Sequence, residues 1–365
     1  MESVKPVGPL MWLRIEPRPE PSRLMRYLSP LLAVALMLTC GMVLFKVLGK
    51  SPVEGFKVFF LQPMADRYGI SELFLKATPL MLCAVGLSVG FRGNVWNIGA
   101  EGQLLVGALA GGGLALHFPN CQSPFLLPAM FVAGALGGML WAAIPAWLRT
   151  RFNANEILTS LMLVYIAELM VSWLVHGPWK DPDGFNFPQT RMFQTKAILP
   201  VLVEGTRVNA ALVVALGALV VGWIFMNRSF LGYQMKVSGQ AERAGRYAGF
   251  SARRTVWMGM LIGGSCAGLA GVSEVAGPIG QITEHISPGY GFAAMIVAFV
   301  GRLEPVGIFF ASLLMALLYM GGEQAQQYLG LPYSISKVFQ GLLLFFLLGS
   351  DVFIHFRLRL DRGRK

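Results

Sequence analysis

Long apolar segments dominate this chain and restrict it to one class of fold. About ten of them approach or reach the roughly 20 residues that an α-helix needs to cross a bilayer. An apolar fraction of 55% with only 13% charged residues also lies outside the range of soluble domains. The sequence therefore predicts an all-α, polytopic integral membrane protein with about ten transmembrane helices. These segments lie near residues 28–48, 74–91, 100–117, 124–147, 156–175, 209–226, 255–273, 289–301, 304–321 and 334–351.

The basic residues predict how the chain is oriented in the membrane. Cytoplasmic loops of membrane proteins are enriched in Lys and Arg, and with the N-terminus inside about two-thirds of the 30 basic residues lie on the cytoplasmic side. We therefore expect both termini to be cytoplasmic, with a segment 1–27, a transmembrane domain 28–351 and a basic tail 352–365. The net charge of +11 indicates topology and contact with anionic membrane lipid, and no nucleic-acid partner is expected.

Two polar interruptions stand between the apolar segments. Residues 91–103 read FRGNVWNIGAEGQ, and residues 273–292 read SEVAGPIGQITEHISPGYGF, in which Gly and Pro break the helical pattern around Glu274. Backbone that leaves helical geometry at membrane depth survives only when it is buried in protein or lines a water-filled space. Paired interruptions of this kind point to a central binding region for a solute. Glu168, within an apolar segment, should face the bundle interior or a partner.

Two connecting segments are long enough to have roles of their own. Residues 176–208 are rich in Pro, Gly and aromatic residues and predict an ordered outer loop. Residues 227–254 form the longest internal cytoplasmic loop, in which a run of helix formers lies between Gly239 and Gly249. A short exposed helix of this kind can dock in a groove of a partner protein. A solvated basic loop that only enforces topology is the alternative interpretation.

Patterns that would indicate chemistry are missing from the sequence. The four His and four Cys residues have neither metal-ligand spacing nor a CxxC pair. No phosphate-binding loop or catalytic spacing is present, so the chain is not expected to be an enzyme and no cofactor or metal is predicted. If the chain takes part in an energised process, another subunit must hydrolyse the nucleotide. Glycine pairs at i, i+4, such as Gly134 with Gly138 and Gly264 with Gly268, predict close helix packing.

Six sequence segments resemble a known family of membrane proteins. They are similar to the permease subunits of ABC importers in the branched-chain amino acid and simple-sugar permease superfamily, and most of all to the nucleoside subgroup that works with basic-membrane-lipoprotein-type binding proteins. The resemblance runs from about residue 28 to 350. The segments are FRGNVWNIGAEGQ at 91–103, NEILTSLMLVYIA at 155–167, GPWKDP with PQT within 177–190, LGYQMKVSGQAERAGRYAGF at 231–250, CAGLAGVSEVAGP at 266–278 and GYGFAAMIVAFVGRLEPVG at 289–307.

The resemblance implies partners as well as a fold. It implies a multi-pass subunit of the bacterial plasma (inner) membrane that works with an ABC ATPase subunit, with a second related permease subunit in a heterodimeric pair, and with an extracytoplasmic solute-binding protein. It also implies that the helix near 239–250 docks on the ATPase, with Gly239, Glu242, Arg246, Tyr247 and Gly249 as the coupling residues.

The resemblance also nominates residues beside the solute path. By analogy with the polar turn of the family, these are Asn94, Trp96, Asn97, Glu101 and Gln103, to which the second interruption adds Glu274. Trp96 could stack on a planar base, and the amides could bind base edges or ribose hydroxyls. Each of these residues has a purely structural interpretation as a contact of the helix break.

The main hypothesis is that the chain is the permease subunit of an ABC importer for a small polar solute, with a nucleoside as the favoured candidate. A permease for simple sugars such as ribose or galactose is the alternative within the superfamily. A stand-alone channel or facilitator is the alternative from another class, and it would make residues 227–254 a basic loop without a partner.

Overall fold

A computed structural model describes residues 12–18, 20 and 22–361 of the chain. The ends of the predicted N-terminal segment and basic tail, residues 1–11 and 362–365, lie outside the described residues. Two strands and thirteen α-helices are found within the described part. In chain order these are β1 (Trp12–Pro17), α1 (Arg23–Val47), α2 (Pro52–Phe56), α3 (Arg67–Arg92), α4 (Ala100–His117), α5 (Leu126–Phe152), α6 (Glu156–His176), α7 (Ala211–Arg228), α8 (Phe230–Gln240), α9 (Glu242–Tyr247), α10 (Ala252–Glu274), α11 (Tyr290–Val300), α12 (Pro305–Leu329), α13 (Ile335–His355) and β2 (Phe356–Asp361).

The predicted fold class is confirmed: the chain is a polytopic helical membrane protein. Each predicted apolar segment coincides with a helix, and α4 occupies the predicted residues 100–117. Among the described residues, 8 helices are long and apolar enough to cross a membrane. The other two predicted spans are α4, which opens with the polar sequence AEGQ, and α11, which has only 11 residues. The total number of membrane crossings therefore stays a prediction.

The chain divides into two compact units, one of which combines residues 1–57 with 325–365. In this unit α1 packs along α13, where the rings of Phe45 and Phe339 lie 5.8 Å apart. Close to their ends, the Ser29 hydroxyl donates a hydrogen bond to the Asp351 carboxylate at 2.6 Å. Strands β1 and β2 pair in antiparallel register, from Trp12 opposite Asp361 to Pro17 opposite Phe356. Helix patterns alone did not predict this ribbon, which brings the two terminal segments to one side of the unit.

The second unit comprises residues 58–324 and has α3 at its centre. In the most apolar window of α3, 83% of residues are buried, against 22% to 28% for α5, α6 and α7. Helix α3 is therefore surrounded by protein, whereas α5, α6 and α7 keep large apolar faces for lipid or another protein. The Asp66 carboxylate accepts a hydrogen bond from Gly69 N–H at 2.6 Å and caps the start of α3.

Helices α4, α5 and α10 approach each other closely through glycines. A Cβ atom added to Gly268 would lie 2.1 Å from the carbonyl oxygen of Gly134, and one added to Gly138 would lie 2.2 Å from that of Gly264. Neither contact leaves room for a side chain. The predicted glycine pairs thus serve helix packing, which in lipid depends on close van der Waals contact.

Gly268→Val is expected to destabilise the protein because the added Cβ collides with backbone, which cannot move aside without separating α5 from α10. Overpacking of this kind costs about 1 to 3 kcal/mol or more. The measurement is the thermal unfolding midpoint of the purified protein in detergent. Gly217→Val in α7 is the matched control, since a Cβ there meets no atom within 4 Å. Equal midpoints for the two variants would contradict this packing.

Candidate functional site

The polar turn between α3 and α4 leaves helical geometry immediately after Arg92. Asn94 adopts a left-handed conformation with φ of 54°, which Asn tolerates better than most residues. Its side-chain oxygen accepts a hydrogen bond from the indole N–H of Trp96 at 3.0 Å. The Trp96 ring lies 5.4 Å from that of Phe91 and 5.8 Å from that of Phe299 on α11. Trp96, 39% exposed, is therefore held in an aromatic cluster that joins the turn to α11.

Two predicted pathway residues, Asn97 and Gln103, bind each other. The Asn97 amide donates to the Gln103 oxygen at 2.9 Å, and the Gln103 amide donates back to the Asn97 oxygen at 3.0 Å. The same Asn97 oxygen accepts from Gly99 N–H at 3.0 Å. Both side chains are 1% exposed. A solute could reach either amide only after this pair opened, so in this conformation the pair holds the turn against α4.

Glu101 joins the two interrupted regions of the chain. Its carboxylate accepts a hydrogen bond from Gly291 N–H, in the first turn of α11, at 2.6 Å, and its side chain is 3% exposed. A Cβ atom on Gly291 would lie 2.2 Å from the backbone nitrogen of Glu101, so only glycine permits this approach. The starts of α4 and α11 therefore meet at one carboxylate.

Ser287 prepares the start of α11 for this contact. Its hydroxyl oxygen accepts hydrogen bonds from Tyr290 N–H at 2.9 Å and from Gly289 N–H at 3.1 Å. Gly289 itself has a backbone φ of 102°, a value that residues other than glycine rarely adopt. The Gly-Tyr-Gly sequence after Pro288 is thus a helix start in which serine satisfies two free backbone donors and glutamate satisfies a third.

A cavity of about 500 Å³ opens beside Glu101, within the size range of small-molecule sites. It is open towards the exterior of the unit, because Tyr165 and Leu169 on α6 are 55% and 70% exposed. Most of its polar lining consists of acceptors and hydroxyl groups. The residues that line it are Glu101, Leu105, Tyr165, Glu168, Leu169, Ser172, Glu284, His285, Ile286 and Ser287.

Sequence reasoning found only part of this lining. Glu101 was predicted as a pathway residue, and Glu168, expected to face the interior or a partner, lines the cavity on an exposed face of α6. Glu284, His285 and Ser287 were missed, although they lie inside the second predicted interruption. They belong to an irregular segment, which has no periodicity from which the direction of a side chain can be read.

Glu274, the sixth predicted pathway residue, lies elsewhere. It ends α10 and is 7% exposed, and the chain continues as a π-helical turn, Val275–Ile279. Leu199 N–H of the outer loop donates to the Ala276 carbonyl in that turn at 2.7 Å. Glu274 is absent from the described cavity lining, so its place is beside the outer loop.

The predicted outer loop, residues 176–208, is ordered in the structure and is attached to the second interruption. Thr190 N–H donates to the Ile282 carbonyl at 2.9 Å, and Phe193 N–H donates to the Gly280 carbonyl at 2.8 Å. The Arg207 guanidinium binds the Glu72 carboxylate through two hydrogen bonds, of 2.8 and 2.5 Å. This bidentate contact raises the pKa of Arg207 further above its usual range. The loop thus anchors one wall of the cavity.

The basic loop 227–254, which we expected to be cytoplasmic, contains two helices instead of one. The expected helix between Gly239 and Gly249 is shorter, since α9 covers only Glu242–Tyr247. Gly239 lies inside α8, where a Cβ would be 2.1 Å from the Arg92 carbonyl oxygen, so it is a packing residue and not a helix boundary. Gly249 ends the segment with φ of 80°.

The short helix α9 presents its side chains to solvent. The Arg246 guanidinium binds the Glu242 carboxylate at 2.5 Å, one helical turn away. The Tyr247 side chain is 98% exposed. Tyr247 is therefore freely accessible on the surface of α9.

Comparison with known proteins identifies the family. The sequence profile described as "Branched-chain amino acid transport system / permease component" matches residues 69–348, which include the polar turn, the cavity and both loops. The chain belongs to this permease family.

Relatives with named activities extend along almost the whole chain. It is 36% identical to the glucose ABC transporter permease protein TsgB13 of Haloferax volcanii, over 97% of this chain and 95% of that protein. It is 30% identical to the guanosine ABC transporter permease protein NupP of Bacillus subtilis, over 90% and 94% of the two chains. The nucleoside ABC transporter permease protein NupB of Lactococcus lactis is 29% identical, over 88% and 90%. The permease is thus a transport subunit of an ABC importer and not itself an enzyme.

Substitution of Glu101 separates its structural role from its charge. Glu101→Ala leaves the buried Gly291 N–H without its acceptor, which costs about 1 to 3 kcal/mol of unfolding free energy. Glu101→Gln retains an acceptor oxygen but not the charge, so we expect near wild-type stability with reduced uptake. Thermal unfolding and uptake into proteoliposomes are the measurements, with Glu204→Gln on the outer loop as the control. If Glu101→Gln takes up solute at the wild-type rate, the negative charge of Glu101 is not required for transport.

Proposed function

We propose that this permease carries a neutral, hydroxyl-rich solute, a nucleoside, through the cavity beside Glu101. The single observation behind this proposal is the chemistry of the cavity lining. Three carboxylates face it, those of Glu101, Glu168 and Glu284, together with the hydroxyls of Ser172 and Ser287. Carboxylates are strong acceptors for the hydroxyl groups of a ribose. None of the described lining residues is Lys or Arg, so the cavity offers no permanently charged cation to a solute carboxylate or phosphate.

Charge alone thus argues against some solutes of the wider family. A nucleotide carries phosphate, and this anion would enter a cavity of like charge without a Lys or Arg counter-ion among the described lining residues. A nucleoside or a neutral sugar avoids this cost. The named activities of the relatives, nucleoside, guanosine and glucose permeases, fall within this neutral class.

A nucleoside is favoured over a sugar by the flat side chains of the lining. Tyr165 and His285 offer aromatic faces on which a base can stack. Trp96, which we expected to stack on the base, is instead engaged with Phe91 and Phe299. We therefore transfer that role to Tyr165, which is 55% exposed at the cavity mouth. A simple sugar is the second candidate, and the 36% identity to a glucose permease supports it.

A second permease subunit is proposed to close the cavity. Glu168 is exposed on α6, a helix apolar enough to span the membrane, and a carboxylate facing lipid at that depth is costly. Tyr165, Glu168 and Ser172 recur at three- and four-residue spacing and so form a polar stripe along one face of the helix. Another protein surface covering this stripe would remove the cost.

The relatives support a related but different partner. Haloferax volcanii has both TsgB13 and TsgC13, and Lactococcus lactis has both NupB and NupC, and all four resemble this chain. Identity falls from 36% to 26% within the first pair and from 29% to 23% within the second. We propose that this chain takes the place of the first protein of each pair and assembles with a counterpart of the second.

The remaining partners follow from the two sides of the molecule. We propose that α8 and α9 dock on an ABC ATPase subunit, with Arg246 and Tyr247 in the contact, and that an extracytoplasmic solute-binding protein delivers the solute on the side of the outer loop. The location proposed is the bacterial inner membrane. ATP-driven closure of the ATPases would then shift the permeases between outward- and inward-facing states.

Competition distinguishes the candidate solutes. Uptake of a labelled nucleoside by the complete importer is expected to be inhibited by excess unlabelled nucleoside but not by ribose, glucose or the nucleoside monophosphate. The monophosphate is the control for charge, since it keeps base and ribose. Strong inhibition by glucose would favour the sugar candidate, and inhibition by the monophosphate would contradict an anion-excluding cavity.

Docking through α9 is tested by co-purification. Arg246→Ala with Tyr247→Ala should reduce recovery of the ATPase with the permease about tenfold or more, because exposed aromatic and Arg residues carry much of the energy of an interface. Arg253→Ala, at an exposed position of the same loop, is the control and should leave recovery unchanged. Nucleoside uptake by the chain without any ATPase would instead favour a stand-alone facilitator.

A further inference from the structure

The turn between α11 and α12 is held in an unfavourable backbone conformation. Two consecutive residues without glycine's freedom, Arg302 and Leu303, have φ of 59° and 56°. Such conformations persist only where the surrounding structure fixes them. Leu303 N–H donates to the Ala298 carbonyl at 2.8 Å, which closes the end of α11 tightly. A strained turn that connects two helices is a place where a small displacement changes the direction of both.

Arg92 holds this turn from the neighbouring helix. One nitrogen of its guanidinium donates to the Leu303 carbonyl at 3.0 Å and to the Glu304 carboxylate at 2.6 Å. The Arg92 side chain is only 14% exposed, whereas Glu304 is 52% exposed. Exposed salt bridges contribute little free energy, but Arg92 is mostly buried and also binds the Leu303 carbonyl. Arg92 is therefore fixed against the turn by more than its salt bridge to Glu304. The positive charge also lies at the carbonyl end of α11, where a cation is favoured.

The backbone of Arg92 touches the cytoplasmic segment on its other side. A Cβ atom on Gly239 would lie 2.1 Å from the Arg92 carbonyl oxygen and 2.9 Å from the Gly93 carbonyl carbon. Helix α8 therefore rests directly on the end of α3, and α9 follows it after a single residue, Ala241. A displacement of α9 that also moves α8 would therefore press on the backbone of Arg92 and Gly93.

Helix α11 connects the same turn to the cavity. Its last residues precede Arg302, and its first turn donates Gly291 N–H to the Glu101 carboxylate at 2.6 Å. It is one uninterrupted helix of only 11 residues. Phe299, close to its inner end, also lies 5.0 Å from Phe91 and 5.8 Å from Trp96. Movement at one end of α11 must therefore alter the other end, where it meets Glu101.

We propose that the Arg92–Glu304 pair is a mechanical link of the importer, through which movement of α8 and α9 displaces α11 and so changes the cavity beside Glu101. The inference rests on the proposed docking of α8 and α9 on an ATPase. It assigns Arg92 and Glu304 as positioning residues that contact neither solute nor ATPase. Their loss should uncouple ATP hydrolysis from uptake and leave the subunits assembled.

The test uses the complete importer in proteoliposomes, in which solute uptake and ATP hydrolysis are measured in one preparation. The variants are Arg92→Gln, Glu304→Gln and the double variant. The matched control is Arg149→Gln, because Arg149 forms an ion pair with Glu156 between α5 and α6 that touches none of the link. Co-purification with the ATPase is measured for every variant.

We expect Arg92→Gln to lower the amount of solute taken up per ATP by about fivefold or more, the usual range for a coupling between sites. Glu304→Gln should have a smaller effect, since Arg92 keeps its bond to Leu303. The double variant should resemble Arg92→Gln, because residues that act as one unit are not additive. ATPase recovery should equal that of the wild type.

The possible failures can be told apart. If the wild-type chain does not co-purify with the ATPase, the proposed docking is wrong, and the proposed link, which depends on it, is wrong as well. If the variants assemble normally and their uptake per ATP equals that of Arg149→Gln, the docking stands and the link is overturned. If Arg92→Gln fails to assemble, the exposed Glu304→Gln decides: an unchanged ratio overturns the link, and a lowered ratio supports it.

Discussion

The hydrogen bond between Gly291 N–H and the Glu101 carboxylate is the contact on which the site depends. Two helix starts would otherwise leave free backbone donors inside a membrane domain, where each unpaired group is costly. One buried carboxylate satisfies a donor of α11 while it sits in the first turn of α4. The arrangement requires glycine at 291, because any Cβ would collide with α4. Breaking the helices here is therefore tolerable only because the two breaks meet.

This contact also fixes what the cavity can offer a solute. The carboxylate that joins α4 and α11 lies in the cavity lining, with Glu168 and Glu284 as its neighbours. Ser172 on α6 donates to Glu284 at 3.1 Å, so a hydroxyl group already occupies one of these acceptors. A solute hydroxyl can make the same kind of bond in its place. The structural needs of the broken helices thus produce an acceptor-rich surface suited to a polyol.

Sequence patterns predicted the helices well because membrane-spanning helices depend on composition and length. The predicted bounds 100–117 for α4 and 156–175 for α6 differ from the observed helices by at most one residue. The two breaks were found because Gly, Pro and polar residues are conspicuous in apolar surroundings. The sequence suggested that the two breaks meet only because there are two of them. Tertiary packing decides which of their side chains come into contact.

The prediction of site residues was less complete for the same reason. Asn97 and Gln103 are polar residues in the right segment, yet they satisfy each other, six residues apart across the helix start. A sequence shows where polar groups are, but it does not show whether a buried neighbour already forms their hydrogen bonds. Conversely, Tyr165 and Ser172 lie on a helix read as apolar, and only the fold turns them towards Glu101. Gly239 appeared to be a helix boundary because its contact, the Arg92 carbonyl, is 147 residues away in the chain.

The positions of glycine show how one chain can be both rigid and able to move. Between α4, α5 and α10, glycines bring backbones into direct contact over several turns, and such surfaces cannot slide without separating. At Gly239 and Gly291 glycine instead permits single-point contacts, on the Arg92 carbonyl and the Glu101 backbone. A point contact transmits displacement but does not resist rotation about itself. Helix α11 meets Glu101 at its first turn and approaches Arg92 and the aromatic cluster at its last turn. It therefore connects the cavity to the turn before α12, apart from the glycine contacts that join α4, α5 and α10.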